Sequence, residues 1–387
     1  MAIAFPFVEV SIDTKGLQPE VQRAPGVLAI VGGTNNKGTA ANNDPIVVNS
    51  LEDAVPLFNE MTGPNIVAKS ALYRALEIAF LQNPRPSKIY AVKAATTAAG
   101  LTALEALDDV TFVALADDPV KTGGGGTAPV AALKAHVENQ SAAGNKRIGV
   151  AAIDPQIAAS ATYGADIIAL ATPLKATTPR MVMVAARGAV NGAGTSADVA
   201  VAAASAIAGQ APASSLVLKK IFGLTIPLAS QYSPGEIMAL SNDGIIAVID
   251  PALVAGESLH FAEGTLYTTD AAQKYIDLVR LLDDVEFRLR AGLIGLIGDA
   301  RITRTGLAAV IRKAEGILGV VKSTGAITGY SFHIPAYNAL LKPESARSAT
   351  ETQVIFTARS ERLVDMAVTI VIGPAIHRLK IALQPKF

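Results

Sequence analysis

Cysteine and tryptophan are both absent from the 387 residues. The first absence excludes disulfides, thiolate nucleophiles and cysteine-ligated metal sites together. Charge is scarce: Asp, Glu, Lys and Arg make up 17% of the chain, against about 25% in average proteins. The 33 acidic residues balance 33 basic ones, so no net field draws in nucleic acid or an anionic membrane. Long uncharged apolar runs are missing too. The nearest candidate, 276–297, carries Asp277, Arg280, Asp283, Asp284, Glu286, Arg288 and Arg290, too many charges for a bilayer core. Direct membrane insertion is therefore not expected. The opening Met1-Ala2-Ile3-Ala4-Phe5-Pro6 lacks the basic segment and long apolar run of a secretory signal, which places the expected chain in the cytosol.

Half of the residues are apolar. A monomer with so few charges leaves apolar surface uncovered, and such patches mark interaction sites. Extensive subunit contacts and an alanine-rich soluble enzyme both fit that composition. The length allows two or three domains with real cores.

From Pro25 the pattern reads as α/β. Val27–Val31 is a continuous apolar run ending in Gly32-Gly33, as in a buried strand. A helix is predicted over Asn65–Gln82, closed by Asn83-Pro84. Strands are predicted at Lys88–Lys93, Thr111–Leu115, Ile148–Ile153, Ile167–Ala171, Met181–Ala185 and Gly244–Ile249, with helices at Val130–Gln140 and Ala197–Ala208. Such alternation implies a helix-covered, mainly parallel sheet. After about Pro251 the character becomes α+β. Leu259–Tyr267 reads as strand and turn, followed by a long helix from Thr269 or Asp270 to about Gly298 and a second at Thr305–Val321. Ser331–Pro335, Gln353–Ala358 and Met366–Ile372 read as strands.

The search for chemistry yields no catalytic, cofactor-binding or metal-binding residues. Gly32-Gly33-Thr34-Asn35-Asn36-Lys37-Gly38 follows a strand but is neither G-x-G-x-x-G entering a helix nor G-x-x-x-x-G-K-[ST]. A turn and a phosphate loop remain the two readings. His136, His260, His333 and His377 lack metal-site spacing, and no G-x-S-x-G elbow occurs. Asp108-Asp109, Asp117-Asp118 and Asp283-Asp284 are adjacent pairs, which do not share a face of a helix or strand.

The two ends read alike. Val8-Glu9-Val10-Ser11-Ile12-Asp13 and His377–Leu383 alternate apolar and polar residues, the mark of a half-buried strand. A lone strand on a tether must pair with a sheet edge, in its own chain or in a neighbour.

The C-terminal third carries a wider resemblance. Tyr275–Glu286, Gly298-Asp299-Ala300-Arg301-Ile302-Thr303, Glu315–Leu318, Gly325–Ile327 and Gly373–Leu379 resemble the tail sheath proteins of contractile phage tails and contractile injection systems, R-type pyocins included. Gly26–Val31, Pro45–Ser50, Glu52-Asp53-Ala54 and Phe58 fit more loosely. Where many sheath proteins have W-G-x-R-T, this chain reads Phe261–Leu266. The chain is short for a sheath, so large outer decoration domains are not expected.

The resemblance implies a non-enzymatic structural subunit without cofactors. It implies hexameric rings stacked helically on copies of itself around an inner tube protein, with baseplate and tail terminator proteins at the ends. Contraction would drive the tube through a target envelope. It implies assembly in the host cytoplasm and a final place in a virion tail or injection particle.

The expected domains are an N-terminal β-arm at 1–23, an α/β domain at 24–255, an α+β sheath domain at 256–366 and a C-terminal β-arm at 367–387. Strands exchanged between subunits are expected at Val8, Val10, Ile12, Val368, Ile370, Ile372, Leu379, Ile381 and Leu383. Hinges are expected at Lys15, Gly16, Gly373 and Pro374. The polar face of the long helix, with Asp277, Arg280, Asp284 and Arg288, is either tube-facing or solvated. The rival readings are a cytosolic α/β nucleotide-dependent enzyme and a non-contractile scaffold or shell.

Overall fold

Runs of Val, Ile, Ala and Met too apolar to face water on either side dictate the architecture. The computed structural model describes residues 26–379 except 252–253 and 255–257. It divides into two compact units, one holding residues 26–284 and 373–379, the other 285–372. The first runs β1 (Val27–Gly32), β2 (Pro45–Val47), α1 (Leu51–Phe58), β3 (Glu60–Thr62), β4 (Asn65–Ala68), α2 (Ala71–Leu81), β5 (Lys88–Lys93), α3 (Thr97–Ala103), β6 (Phe112–Leu115) and α4 (Ala128–Ala142). It continues β7 (Ile148–Ala152), α5 (Tyr163–Ala171), β8 (Met181–Ala185), α6 (Val199–Gly209), α7 (Pro234–Asp243), β9 (Ile245–Ile249) and β10 (His260–Phe261). Helix α8 (Ile276–Leu293) begins in this unit. The second unit contains α9 (Arg304–Ser323), β11 (Ile327–His333), α10 (Pro335–Leu341), α11 (Ala349–Glu361) and β12 (Ala367–Ile372).

Eight strands form one sheet in the order β10-β9-β8-β7-β6-β1-β5-β2. The six central strands are parallel, and short antiparallel strands close each edge. Strands β1, β7 and β8 are buried at every residue, so their sequences are continuous rather than alternating. One face packs against α1, α2 and α6, the other against α3, α4, α5 and α7. Helix α6 is buried from Val199 to Ala208. A helix buried on all sides must be apolar on all sides, and its alanines allow close approach. Its one polar side chain, Ser205, donates to the Ala79 carbonyl at 2.8 Å.

Several expectations change. The hairpin β3–β4 precedes α2, which starts only at Ala71, where the Ser70 side chain accepts from Tyr73 N–H. Ile167–Ala171, predicted as a strand, ends helix α5; a five-residue apolar run fits either state. Gln353–Ala358, also predicted as a strand, lies in α11, which the reciprocal Ser348/Glu351 capping box starts. The long helix begins at Ile276 rather than Thr269, because Thr268 and Asp270 are held in a turn, Thr268 donating to the Ala176 carbonyl. The two compact units meet in sequence between Asp284 and Val285.

One buried ionic group ties the second face together. Arg147, without solvent exposure, donates to the Leu104 carbonyl at 2.8 Å and to that of Leu107, and lies 2.9 Å from His136 Nε2. Burial, helped by the Arg147 charge, holds the His136 pKa down to about 4. The unfolded chain, with His near 6.5, therefore binds the extra proton between pH 6.5 and 4, and stability present above 6.5 is lost as the pH falls through that window. Asp198, raised to about 6 by burial, acts oppositely: its contribution is present below its unfolded value and lost as pH rises through 6. Comparing wild type with His136→Gln cancels the Asp198 part. Urea unfolding is expected to show wild type losing on the order of 2–3 kcal/mol more than the variant between pH 7 and 4.5. Equal slopes would contradict the buried neutral imidazole.

Candidate assembly site

Strands β11 and β12 pair antiparallel in register from His333↔Ala367 to Gly329↔Val371, with an irregularity before Ile327↔Ile372. They form a two-stranded sheet, so each has one side without a strand partner among the described residues. In an antiparallel pair alternate residues turn N–H and C=O away from the partner. Both outer edges therefore present rows of main-chain donors and acceptors. The sequence of β12, Ala367-Val368-Thr369-Ile370-Val371-Ile372, carries no charge and no proline, the devices that normally blunt an edge.

Burial in β12 alternates strictly: Val368, Ile370 and Ile372 are half-buried, while Ala367, Thr369 and Val371 are exposed. The half-buried face is shared with Tyr330 and Phe332, whose rings lie 5.7 Å apart. Tyr330 anchors the sheet to α9 by donating its hydroxyl to the Glu315 carbonyl at 3.3 Å. Helix α9 packs against β11, and α9, α10 and α11 share a core around Leu307, Ile334, Ala336 and Ala358.

Val368, Ile370 and Ile372, expected in an outgoing C-terminal arm, thus pair with β11 of the same chain. The alternation of Ile327–His333 in apolar and polar residues was the signal for that partner, only partly captured by Ser331–Pro335. Gly373 and Pro374 are exposed and irregular, where the chain passes back to the larger unit. Leu379 is exposed and not in a strand. Val8, Val10, Ile12, Lys15, Gly16, Ile381 and Leu383 lie outside the described residues.

The polar face expected on the long helix does not hold together. Arg280 is buried, donating to the carbonyls of Gln210 at 2.7 Å and Ala211 at 3.3 Å, with its guanidinium 5.2 Å from the Phe112 ring. Burial lowers its pKa to about 10. It belongs to the core of the larger unit, not to a tube-facing surface. Asp277, Asp284 and Arg288 are half-buried.

The Gly32–Gly38 loop does not open a helix. It folds onto α1, with Lys93 Nζ donating to the Gly38 carbonyl at 3.1 Å, and a Cβ at Gly38 would lie 2.1 Å from the Leu57 carbonyl oxygen. A small cavity of about 170 Å³ at the carboxyl ends of β6 and β7 is lined by Asp117, Lys121, Asp154 and Asp198. The Asp198 carboxylate there caps α6, accepting from Val201 and Asp117 N–H at 3.0 and 2.9 Å. Beyond β8, Arg187 packs against the rings of both Tyr163 and Tyr232 and donates to Glu236, Ser230 and Gln231. Arg187 holds the Glu236 carboxyl down to about 2. All three guanidinium nitrogens are engaged, as in a structural tie. Among the described residues no three His, Cys, Asp or Glu side chains gather as a metal would require, and no helix is long and apolar enough to cross a membrane.

No family model matches the chain, and no curated protein is similar to it in sequence. Solved structures are similar over its whole length. A chain of the contracted sheath complex of the extracellular contractile injection system PVC matches with TM-score 0.67 and 11% identity, covering 99% of this chain and 98% of that one. A chain of the anti-feeding prophage baseplate matches with TM-score 0.65 and 13% identity, covering all of both. The chain has a contractile-sheath fold. The sheath tail protein from Listeria innocua shares it with TM-score 0.54 and 13% identity, over 79% of this chain and 86% of that one. Within this sheath fold, the open β11–β12 sheet is the candidate assembly site.

Its two faces make distinct demands on side chains. Val368→Ala or Ile370→Ala is expected to cost about 1–2 kcal/mol each, less than for fully buried positions, whereas Thr369→Ser stays within about 0.5 kcal/mol. Thermal unfolding of the three variants checks the orientation; equal losses would refute it.

Proposed function

We propose that the chain is the structural subunit of a contractile sheath, with a mechanical rather than chemical role. The observation that carries this reading is an uncharged, proline-free strand edge in a fold that matches sheath chains from end to end. In this reading the subunits form hexameric rings stacked around an inner tube, bounded by baseplate and terminator proteins. Contraction drives the tube through a target envelope.

The two open edges of the β11–β12 sheet receive strands from neighbours: Val8, Val10 and Ile12 of one chain, and Ile381 and Leu383 of another. This is strand addition, in which main-chain hydrogen bonds supply the hold. Each net bond contributes about 0.5–1.5 kcal/mol, so a strand of several bonds survives movements that shear flat side-chain contacts apart. A head-to-tail contact of this type builds a helix rather than a closed ring pair. Lys15-Gly16 and Gly373-Pro374 supply the compliance. Extended and contracted lattices are then two packings of rigid units joined by the same strands, the bistability that a stored-energy device requires.

Electron microscopy of the purified chain over a range of concentrations tests this reading. Hollow striated cylinders are expected from the full chain. Deleting residues 1–15 is expected to leave the unfolding midpoint within a few degrees while abolishing the polymers. Cylinders from the truncated chain would overturn the role of the N-terminal arm. Small discrete oligomers from the full chain, even with its tube protein present, would overturn the sheath reading.

A further inference from the structure

Immediately after the four-residue passage Gly373–Ile376, two consecutive tail residues are seated in the larger unit. His377 Nε2 lies 2.9 Å from Ser215 Oγ, and its ring meets Tyr275 edge-on with centroids 4.9 Å apart. Arg378 donates to Glu263 Oε1 at 2.8 Å. The flanking Ile376 and Leu379 are 83% and 76% exposed, so among the described tail residues the hold lies at these two positions.

The receiving surface is rigid. Residues 261–266 are bonded on one side to 218–219, through Leu218 N–H to the Phe261 carbonyl and Phe261 N–H to the Lys219 carbonyl. On the other side they are bonded to 274–276, through Leu266 N–H to Lys274 and Ile276 N–H to Gly264. Ser215, Glu263 and Tyr275 thus sit on three neighbouring backbone segments tied by main-chain bonds. Glu263 is the decisive member. Its side chain is only 13% exposed while that of Arg378 is 77% exposed. A carboxylate with so little exposure is favoured by a cationic partner, and the tail delivers one.

We propose that His377 and Arg378 form a latch that moors the root of the C-terminal tail to its own larger unit, so that the segment available to a neighbouring subunit begins at Leu379 rather than at Gly373. Tension on the tail then enters the larger unit at Glu263 and Tyr275 and bypasses β12. The consequence for assembly rests on the sheath reading; the latch itself is a property of the single chain and is testable there.

Carbodiimide coupling of Arg378→Lys reads the contact, because it joins an amine to a carboxylate only when they touch. The existing pairs Lys88–Asp109 and Lys342–Glu351, at 2.9 and 2.6 Å, serve as internal standards. In the soluble chain, peptide mass spectrometry is expected to find position 378 joined to Glu263 at a yield similar to the standards, and the link is expected to vanish in Glu263→Gln. Assembled polymers should retain it. Formation of the standards without the 378–263 link overturns the latch, as does a link present in the soluble chain and lost in the polymer. A charge swap gives an independent reading. Arg378→Glu alone is expected to reduce polymer yield at least fivefold, and combining it with Glu263→Arg should restore most of it. No recovery counts against the latch. If wild type forms no polymer at all, the sheath reading fails, and the soluble cross-link still decides the latch.

Discussion

A main-chain N–H or C=O at a strand edge must find a partner, and an apolar edge strand does not keep water as one without inviting other strands. Strand β12 is such an edge: six residues, none charged, none proline, alternating cleanly between a half-buried and an exposed face. Its pairing with β11 satisfies one side, and among the described residues no strand meets the other. Helix α9 packs against this pair, with Tyr330 fixed to the Glu315 carbonyl. The larger unit, by contrast, has short antiparallel strands closing both edges of its sheet, β2 with Pro45 at one end and the two-residue β10 at the other. Edge protection is present on the eight-stranded sheet and lacking on the β11–β12 pair.

The scarcity of charge has two physical sources that composition alone does not separate. Much of it is internal: six parallel strands covered on both faces, and a helix α6 buried along its length, consume Val, Ile and Ala that an alternating, half-solvated fold would have replaced with polar residues. The remainder is superficial, in exposed side chains such as Ile294, Ile297, Phe356 and Leu363. The composition that pointed to subunit contacts therefore also reports a doubly covered sheet.

The same distinction explains what was legible in the sequence. Strands β1, β5 and β8 are continuous apolar runs with no competing interpretation, and their predicted limits match those of the structure to within a residue. The error at Ile167–Ala171 has the opposite cause: a run of five apolar residues has no period to distinguish strand from helix, and only Tyr163 and the preceding turn make it the end of α5. At α11 local β-propensity in Val354-Ile355-Phe356 lost to a capping box three residues into the helix. Arg280 was misplaced because charge on a helix usually means solvent. Here the guanidinium donates to two main-chain carbonyls and lies over the Phe112 ring, groups 69 or more residues away in sequence, with the carboxylates of Asp284, Asp277 and Asp283 favouring its charge. The absence of a nucleotide-loop signature at Gly32–Gly38 was readable, whereas the packing of that loop onto α1 was not. For the candidate site, the alternation in β12 was visible and its partner β11 only in part, since nothing in a strand's own residues says whether its edge will be met by its own chain or by another.

The chain leaves the larger unit at Asp284 and returns to it at Gly373, which makes the described part of the smaller unit an excursion anchored at both ends. One anchor is the continuous hydrogen-bonding of α8; the other is four residues followed by His377 and Arg378. Four extended residues reach at most about 14 Å, so the second connection is a short one. Main-chain hydrogen bonds such as those of the β11–β12 pair depend on no particular side chain, which is compatible with the very low sequence identity, 11 to 13%, at which this fold is found.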